Sequence, residues 1–330
     1  MKLDTQYLGL ELAHPFIAGA SPLVDDLDNV RRLEDAGAAA ITMNSLFEEQ
    51  IRHEQMATFF DTELSGESSA EARTYFPSTN HLALGPENYL EQLRRVKAAV
   101  SVPVIGSLNG STLGGWLDHA RLIEQAGADA LELNVYALAT DPRVSGAEIE
   151  AETIEMVRTV KGTVKIPVAV KLSPFYTSLA HLAASLVEAG ADGMVLFNRF
   201  YQPDIDVERL VVERSLRLSH SSELALRLRW LAILSPRIRA SYAVTGGVHE
   251  AVDAVKALMT GADAVQLVST LLAHGPSRLR TLRAELSRWL EEHEYTSVTE
   301  LRGSMNLDTC PDPAAYERAN YMLILQSWAH

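Results

Sequence analysis

Lys171 stands inside the apolar run VAVKLSP (168–174). A cation there costs free energy unless an anion meets it or its head reaches water. Two chemistries suit it: an ammonium that balances negative charge on a reduced, anionic cofactor, or an amine that forms a Schiff base with a carbonyl substrate. Four other apolar runs stop at asparagine: Asn44, Asn109, Asn134 and Asn198. The run before Asn134, ALEL, is broken by Glu132. An amide donates and accepts at once, so a ring of amides suits a flat heterocycle carrying both kinds of group. Gly246-Gly247 opens the helical pattern HEAVDAVKALM, and Ser269-Thr270 follows the last apolar run. Backbone N–H groups at a helix start, with hydroxyls beside them, hold phosphate. Carboxylates are nearly absent from the ends of these runs. That speaks against the facing acids of a glycosidase and the oxygen-rich cage of a hard metal, so no metal is expected.

The elements that must position these residues follow from a weak internal repeat. AGAAAITMNS (36–45), AGADALELNV (126–135), AGADGMVLFN (189–198) and TGADAVQLVS (260–269) share one plan. Each has glycine after a helical pattern and then a short apolar run ending in a polar residue, which is a helix-to-strand joint. Four further runs alternate with them. Eight strands are expected at 15–20, 39–44, 102–108, 130–135, 167–172, 193–198, 242–246 and 264–269. Their apolar residues lack strict alternation, as in strands covered on both faces. Eight helical patterns fill the intervals, the first with Asp26 as its cap and the second opening on Pro86. This unbroken alternation predicts an α/β fold, a (β/α)8 TIM barrel, whose ligands meet the C-terminal ends of the strands.

Two connections on that face are long, 48–86 and 199–221, as lids and binding loops are. The expected organisation is a barrel over 1–292 with these insertions, then a C-terminal extension over 293–330 with a terminal helix. The chain's 330 residues are 47% hydrophobic, enough for a large core, and its net charge of −14 gives no basic face for nucleic acid. One cysteine, Cys310, excludes an internal disulfide and fits a cytoplasmic protein. Neither a signal peptide nor a membrane span of about 20 apolar residues is expected.

The ordered motifs AGASP (18–22), LELN (131–134), VKLSP (170–174), LFN (196–198), TGGV (245–248) and QLVSTLLAHGP (266–276), with Asn80 in the long loop, resemble the dihydroorotate dehydrogenase family, its soluble class most closely. The resemblance runs over about residues 3–303. It implies flavin mononucleotide (FMN) at the barrel mouth and a homodimer, and a reaction in which a base removes a substrate proton while hydride passes to flavin N5. By that resemblance Lys171 lies near the N1/O2 edge of the flavin and steadies its reduced anion. Ala20 and Ser21 border the ring, Asn44 belongs to the cofactor set, and Gly246, Gly247 and Ser269, with Thr270 beside them, take the phosphate. Asn134 contacts ring or substrate, and Asn80 and Asn198 hold the small-molecule substrate.

Three positions depart from the resembled pattern. The soluble class carries a cysteine base after strand four, where this chain has Ala137, and a further substrate-binding asparagine is replaced by Ala139. A strand-two lysine is replaced by Met43. Tyr136 is the titratable neighbour that could take the base's place, with His81 as a second candidate; a phenol near pKa 10 does so only with a cation to lower it. Three functions follow: an FMN-dependent oxidoreductase of a cyclic amide such as dihydroorotate, a flavin-binding barrel without that turnover, and a Schiff-base lyase using Lys171.

Overall fold

The computed structural model describes residues 1–47, 86–109, 113–135, 138–199, 202–213, 217–317 and 326. Eight parallel strands form its centre: β1 (Phe16–Ala18), β2 (Ile41–Thr42), β3 (Val104–Asn109), β4 (Ala130–Asn134), β5 (Val168–Leu172), β6 (Gly193–Leu196), β7 (Ser241–Thr245) and β8 (Ala264–Leu267). Neighbours in sequence are neighbours in space, and β8 pairs with β1 through Val265 and Phe16. The register Ile41↔Val104 joins β2 to β3 and leaves no open edge. The fold is the expected (β/α)8 barrel.

Helices alternate with these strands: α1 (Leu27–Asp35), α2 (Pro86–Ala99), α3 (Leu113–Gln125), α4 (Gly146–Thr163), α5 (Leu179–Glu188), α6 (Leu224–Leu234), α7 (Ala251–Met259) and α8 (Arg278–Glu292). Asp26 caps α1 by accepting from the Asp28 N–H at 3.1 Å. Ser145 and Glu148 form a reciprocal capping box on α4.

The repeated joint has a structural reason. Its glycines, 37, 127, 190 and 261, all take left-handed backbone with φ between +92 and +114, which glycine adopts at least cost. Two residues on, Asp129, Asp192 and Asp263 accept the backbone N–H of Val104, Val168 and Tyr242 at 2.7, 2.8 and 2.7 Å. Each aspartate thereby ties the start of its own strand to the strand beside it. The first copy has Ala39 at this place, and β2 is the shortest barrel strand.

Three features were not expected from sequence. A hairpin, Thr5–Tyr7 with Leu10–Leu12, closes the N-terminal end of the barrel. Its Tyr7, Leu8 and Leu12 pack with Ile17, Ala130, Ala169 and Ala243 on the strands. Its turn uses Leu8 and Gly9, both at positive φ, where Asn-Gly is the usual signal. After β2 the chain leaves the ladder and rejoins β3 at Leu46–Phe47, so the expected strand 39–44 is interrupted. The insertion after β6 holds a second hairpin, Asp204–Asp206 with Val211–Glu213. Of the 48–86 connection, only Pro86 belongs to the described residues.

Beyond α8 the chain folds back on the barrel. Lys2 pairs with Ser297, and Gly303, Met305 and Leu307 donate to the backbone oxygens of Leu258, Met259 and Ala232 at 2.9, 2.8 and 3.0 Å. Of the expected terminal helix, Ala314–Glu317 is helical, and most of the remainder lies outside the described residues. Among the described residues, no helix is long and apolar enough to cross a membrane.

Candidate active site

A cavity of about 490 Å³ opens at the C-terminal ends of the strands. The sequence places Ala20 and Ser21 after β1, Asn44 after β2 and Asn134 at the end of β4, and all four line it. Lys171, Asn198, Gly246 and Ser269 join them from β5 to β8. Asn109, Gly247 and Thr270 are not on the wall, and the Thr270 side chain is fully buried. Tyr136, Ala137, Asn80 and His81 lie outside the described residues.

Lys171 is not a lone ammonium. Its Nζ lies 3.1 Å from Glu132 Oε1, and Glu132 Oε2 accepts from Gln266 Nε2 at 2.6 Å. The Glu132 side chain is 1% exposed and that of Lys171 10%. The residue that interrupts the buried run of β4 is thus the partner of the cation on β5. In the two faces of a parallel ladder this follows from register: Glu132 stands opposite Ala169, so its neighbour on the same side two residues on is Lys171. Both contribute to the barrel interior. The charge of Glu132 is felt deeper inside, where the Tyr7 and Tyr89 phenols are pushed up, first by burial and then by this carboxylate.

The amides divide their work. Asn198 Nδ2 donates to the backbone oxygens of Val135 and Lys171 at 3.0 and 3.1 Å. It ties the ends of β4 and β5 together and leaves its oxygen for a ligand. Asn134 Nδ2 donates to Ser45 Oγ at 3.3 Å, while its Oδ1 is buried without a partner. A buried acceptor without a donor costs free energy, and the Asn134 side chain carries that cost beside the cavity it lines. Ser45 Oγ is 2.7 Å from Ser107 Oγ. Met43 is buried in the core rather than facing the cavity as a charge.

Around the expected phosphate site, Gly246 and Gly247 both take φ of +79. A Cβ on Gly246 would stand 2.9 Å from Arg227 Nη2, and one on Gly247 would stand 2.7 Å from the Leu224 backbone nitrogen. Two residues here escaped the sequence reading. Ser219 Oγ accepts from the Gly247 N–H at 3.1 Å, and its own N–H donates to Ser269 Oγ at 3.1 Å. Arg227 donates through Nε to the Thr245 oxygen and through Nη1 to the Glu223 oxygen, each at 2.6 Å. Burial chiefly lowers its guanidinium pKa. Ser219 gave no signal, since LSHSSE resembles any polar loop. Arg227 had one: it interrupts the apolar α6 sequence LALRLRWLAIL. Cradle, hydroxyls and a buried guanidinium fit a phosphate-bearing ligand.

Residues 79–290 match the family model for dihydroorotate dehydrogenase. The chain is 30% identical over 239 residues to the dihydroorotate dehydrogenase B (NAD(+)) catalytic subunit of Geobacter sp. strain M21, covering 68% of this chain and 75% of that one. It is 30% identical over 221 residues to the putative dihydroorotate dehydrogenase A (fumarate) of Aeropyrum pernix, covering 64% and 71%. A Thermoplasma acidophilum B-type catalytic subunit is 25% identical over 313 residues, 91% of this chain and 98% of that one. The chain belongs to the dihydroorotate dehydrogenase family. It is a dihydroorotate dehydrogenase-like oxidoreductase. In this member the described cavity wall carries two ionisable side chains, Lys171 and Arg199, and no cysteine, histidine or carboxylate. Arg199 lies 3.5 Å from Glu223. Among the described residues no cluster of metal-ligating side chains is present.

Proposed function

We propose that the protein is an FMN-dependent oxidoreductase taking hydride from the CH–CH bond of a small cyclic amide such as dihydroorotate. One observation carries this reading: a single cavity wall brings together the Lys171 ammonium, the Asn134 and Asn198 amides and the left-handed turn at Gly246. Bound flavin would supply a two-electron acceptor. Gly246, Ser219 and Ser269 would hold its phosphate, with Gly247 fixing the turn, Arg227 adding charge behind them and Thr270 beneath. Ala20, Ser21 and Asn44 would border its ring. Lys171 would stabilise negative charge that develops on reduction. Asn134, Asn198 and Asn80 would hold the substrate amides. We take the protein to act on a small molecule in the cytoplasm, in keeping with its single cysteine.

Proton removal is the weak step. No described wall residue is a base matched to neutral pH, and Tyr136 is left to that task. A second reading therefore keeps a claim: a flavin-binding barrel that does not turn over dihydroorotate, favoured by the same lack of a base. The lyase reading is disfavoured, because the amine that imine formation needs is engaged by Glu132. The absorption spectrum of the pure protein decides first. A yellow protein, or a colourless one that binds added FMN and melts higher, supports the proposal; failure of both defeats it. Anaerobic mixing with dihydroorotate then separates the two flavin readings, since bleaching of the flavin marks turnover.

A further inference from the structure

Glu132 is unexplained by the function proposed so far. It is buried, it does not line the cavity, and burying two opposite charges gains no stability over a well-packed apolar pair. A purely structural need would be met by leucine and methionine. Its placement is nonetheless tightly made. One carboxylate oxygen lies 3.1 Å from Lys171 Nζ on β5, and the other accepts from Gln266 Nε2 on β8 at 2.6 Å. Three strands thus fix one charge directly behind the cation of the cavity wall. Seen from the cavity, the pair is a dipole with its positive end forward. Its field falls off faster with distance than that of an ammonium alone.

We propose that Glu132 is a positioning residue: it holds the Lys171 ammonium at the cavity wall and offsets its charge, so that bound flavin is reduced less readily than a lone ammonium would make it. This rests on the flavin reading above. The equilibrium concerned adds two electrons and one proton to oxidised flavin and gives its anion. A full positive charge beside the ring favours that anion; the paired charge favours it less. The electrons so stored pass on to an acceptor with a larger driving force. Gln266 completes the arrangement, and its own buried Oε1 has no partner. A flip of that amide would let it accept from a glutamine at 132, so the isosteric variant has a way to satisfy its hydrogen bonds.

The test is the ratio of reduced to oxidised FMN affinity, read by spectroelectrochemical titration of FMN-loaded protein. Glu132→Gln is expected to raise this ratio at least tenfold, about 30 mV in a two-electron midpoint. Glu132→Asp, which keeps the charge, is expected to stay within about threefold of the wild type. E132Q with full FMN and an unchanged ratio overturns the proposal, as does an equal shift in E132D. Should E132Q fail to fold, the double variant Glu132→Met with Lys171→Met carries the test. Set against K171M alone, it is expected to raise the ratio at least tenfold, because the buried carboxylate no longer opposes the flavin anion; an equal ratio in the two overturns the proposal. A wild type that takes up no FMN overturns the flavin reading and this proposal together, and is seen before any variant is made.

Discussion

Lys171→Met leaves Glu132 buried with no cation, and the structure sets the size of the loss. The carboxylate is 1% exposed, so water cannot replace the missing ammonium. Gln266 Nε2 remains as a donor at 2.6 Å, which satisfies one oxygen and not the charge. Removing one partner of such a pair costs about 3–5 kcal/mol. With an unfolding entropy of about 2.1 cal/mol/K per residue, a 330-residue chain has about 0.7 kcal/mol/K, so the melting temperature should fall by about 4–7 °C. Calorimetry on flavin-stripped protein measures this without the stabilisation that ligand binding adds. Adding Glu132→Gln should return most of the loss, because the charge is then gone and the hydrogen bonds remain. A K171M variant that melts within about 1 °C of wild type, or a double variant no better than the single, would refute the account of a dry, mutually dependent pair.

Further outcomes are expected elsewhere. Gly247→Ala puts a Cβ 2.7 Å from the Leu224 nitrogen at φ +79; strain and overpacking of about 2–5 kcal/mol should lower the melting temperature and FMN affinity together, read by calorimetry and flavin titration. Ser219→Ala removes the acceptor of the buried Gly247 N–H; it should weaken FMN binding by about tenfold in a fluorescence titration and lower the melting temperature of the stripped protein by about 1–4 °C. Ala137→Cys should raise the rate of flavin bleaching by dihydroorotate by about 10²–10⁴-fold if the missing base is what limits it; an unchanged stopped-flow trace would place the limit elsewhere. Burial raises the Asp263 carboxyl to about 6 and lowers the His14 imidazole to about 4. Asp263's contribution is full below its ordinary value near 4 and lost as pH rises through 6; His14's is full above about 6.5 and lost as pH falls through 4. Each is on the order of 3 kcal/mol, so they oppose one another. Urea unfolding of Asp263→Asn should show stability falling between pH 6.5 and 4, and His14→Gln should show it rising.

Much of the barrel was legible because its signals are local. A glycine at positive φ and a short apolar run repeat four times within ten-residue windows, three of them with an aspartate that ties neighbouring strands, and each copy carries its own evidence. The strand ends were legible for the same reason: Asn134, Lys171, Asn198 and Gly246 each follow from where a strand stops. What escaped depends on partners far along the chain. Glu132 reads as a flaw in an apolar run until Lys171, 39 residues on, and Gln266, 134 residues on, are seen beside it. Ser219 finds Gly247 and Ser269 only through the fold. The N-terminal hairpin was hidden because Leu8 occupies a turn position where burial against the barrel, rather than turn preference, decides the conformation.

The division between what this member keeps and what it changes follows the architecture. Glu132, Lys171 and Gln266 lie in the ladder itself, where a one-residue shift would move every side chain from the interior to the helix-covered face. A change at any one of them strands a charge or a donor. Ala137 and Ala139 come after β4, where connections tolerate substitution. Ala137 in place of the base, as the resemblance implies, is compatible with electron-storing machinery that persists in the ladder. Such a site would favour substrates whose proton leaves without a strong base. The A137C rate and the E132Q midpoint should accordingly be independent, and their effects should add in the combined variant within about 0.5 kcal/mol. A strong coupling between them would mean that loop and ladder act on one step, and the separation drawn here between the two halves of the chemistry would have to be given up.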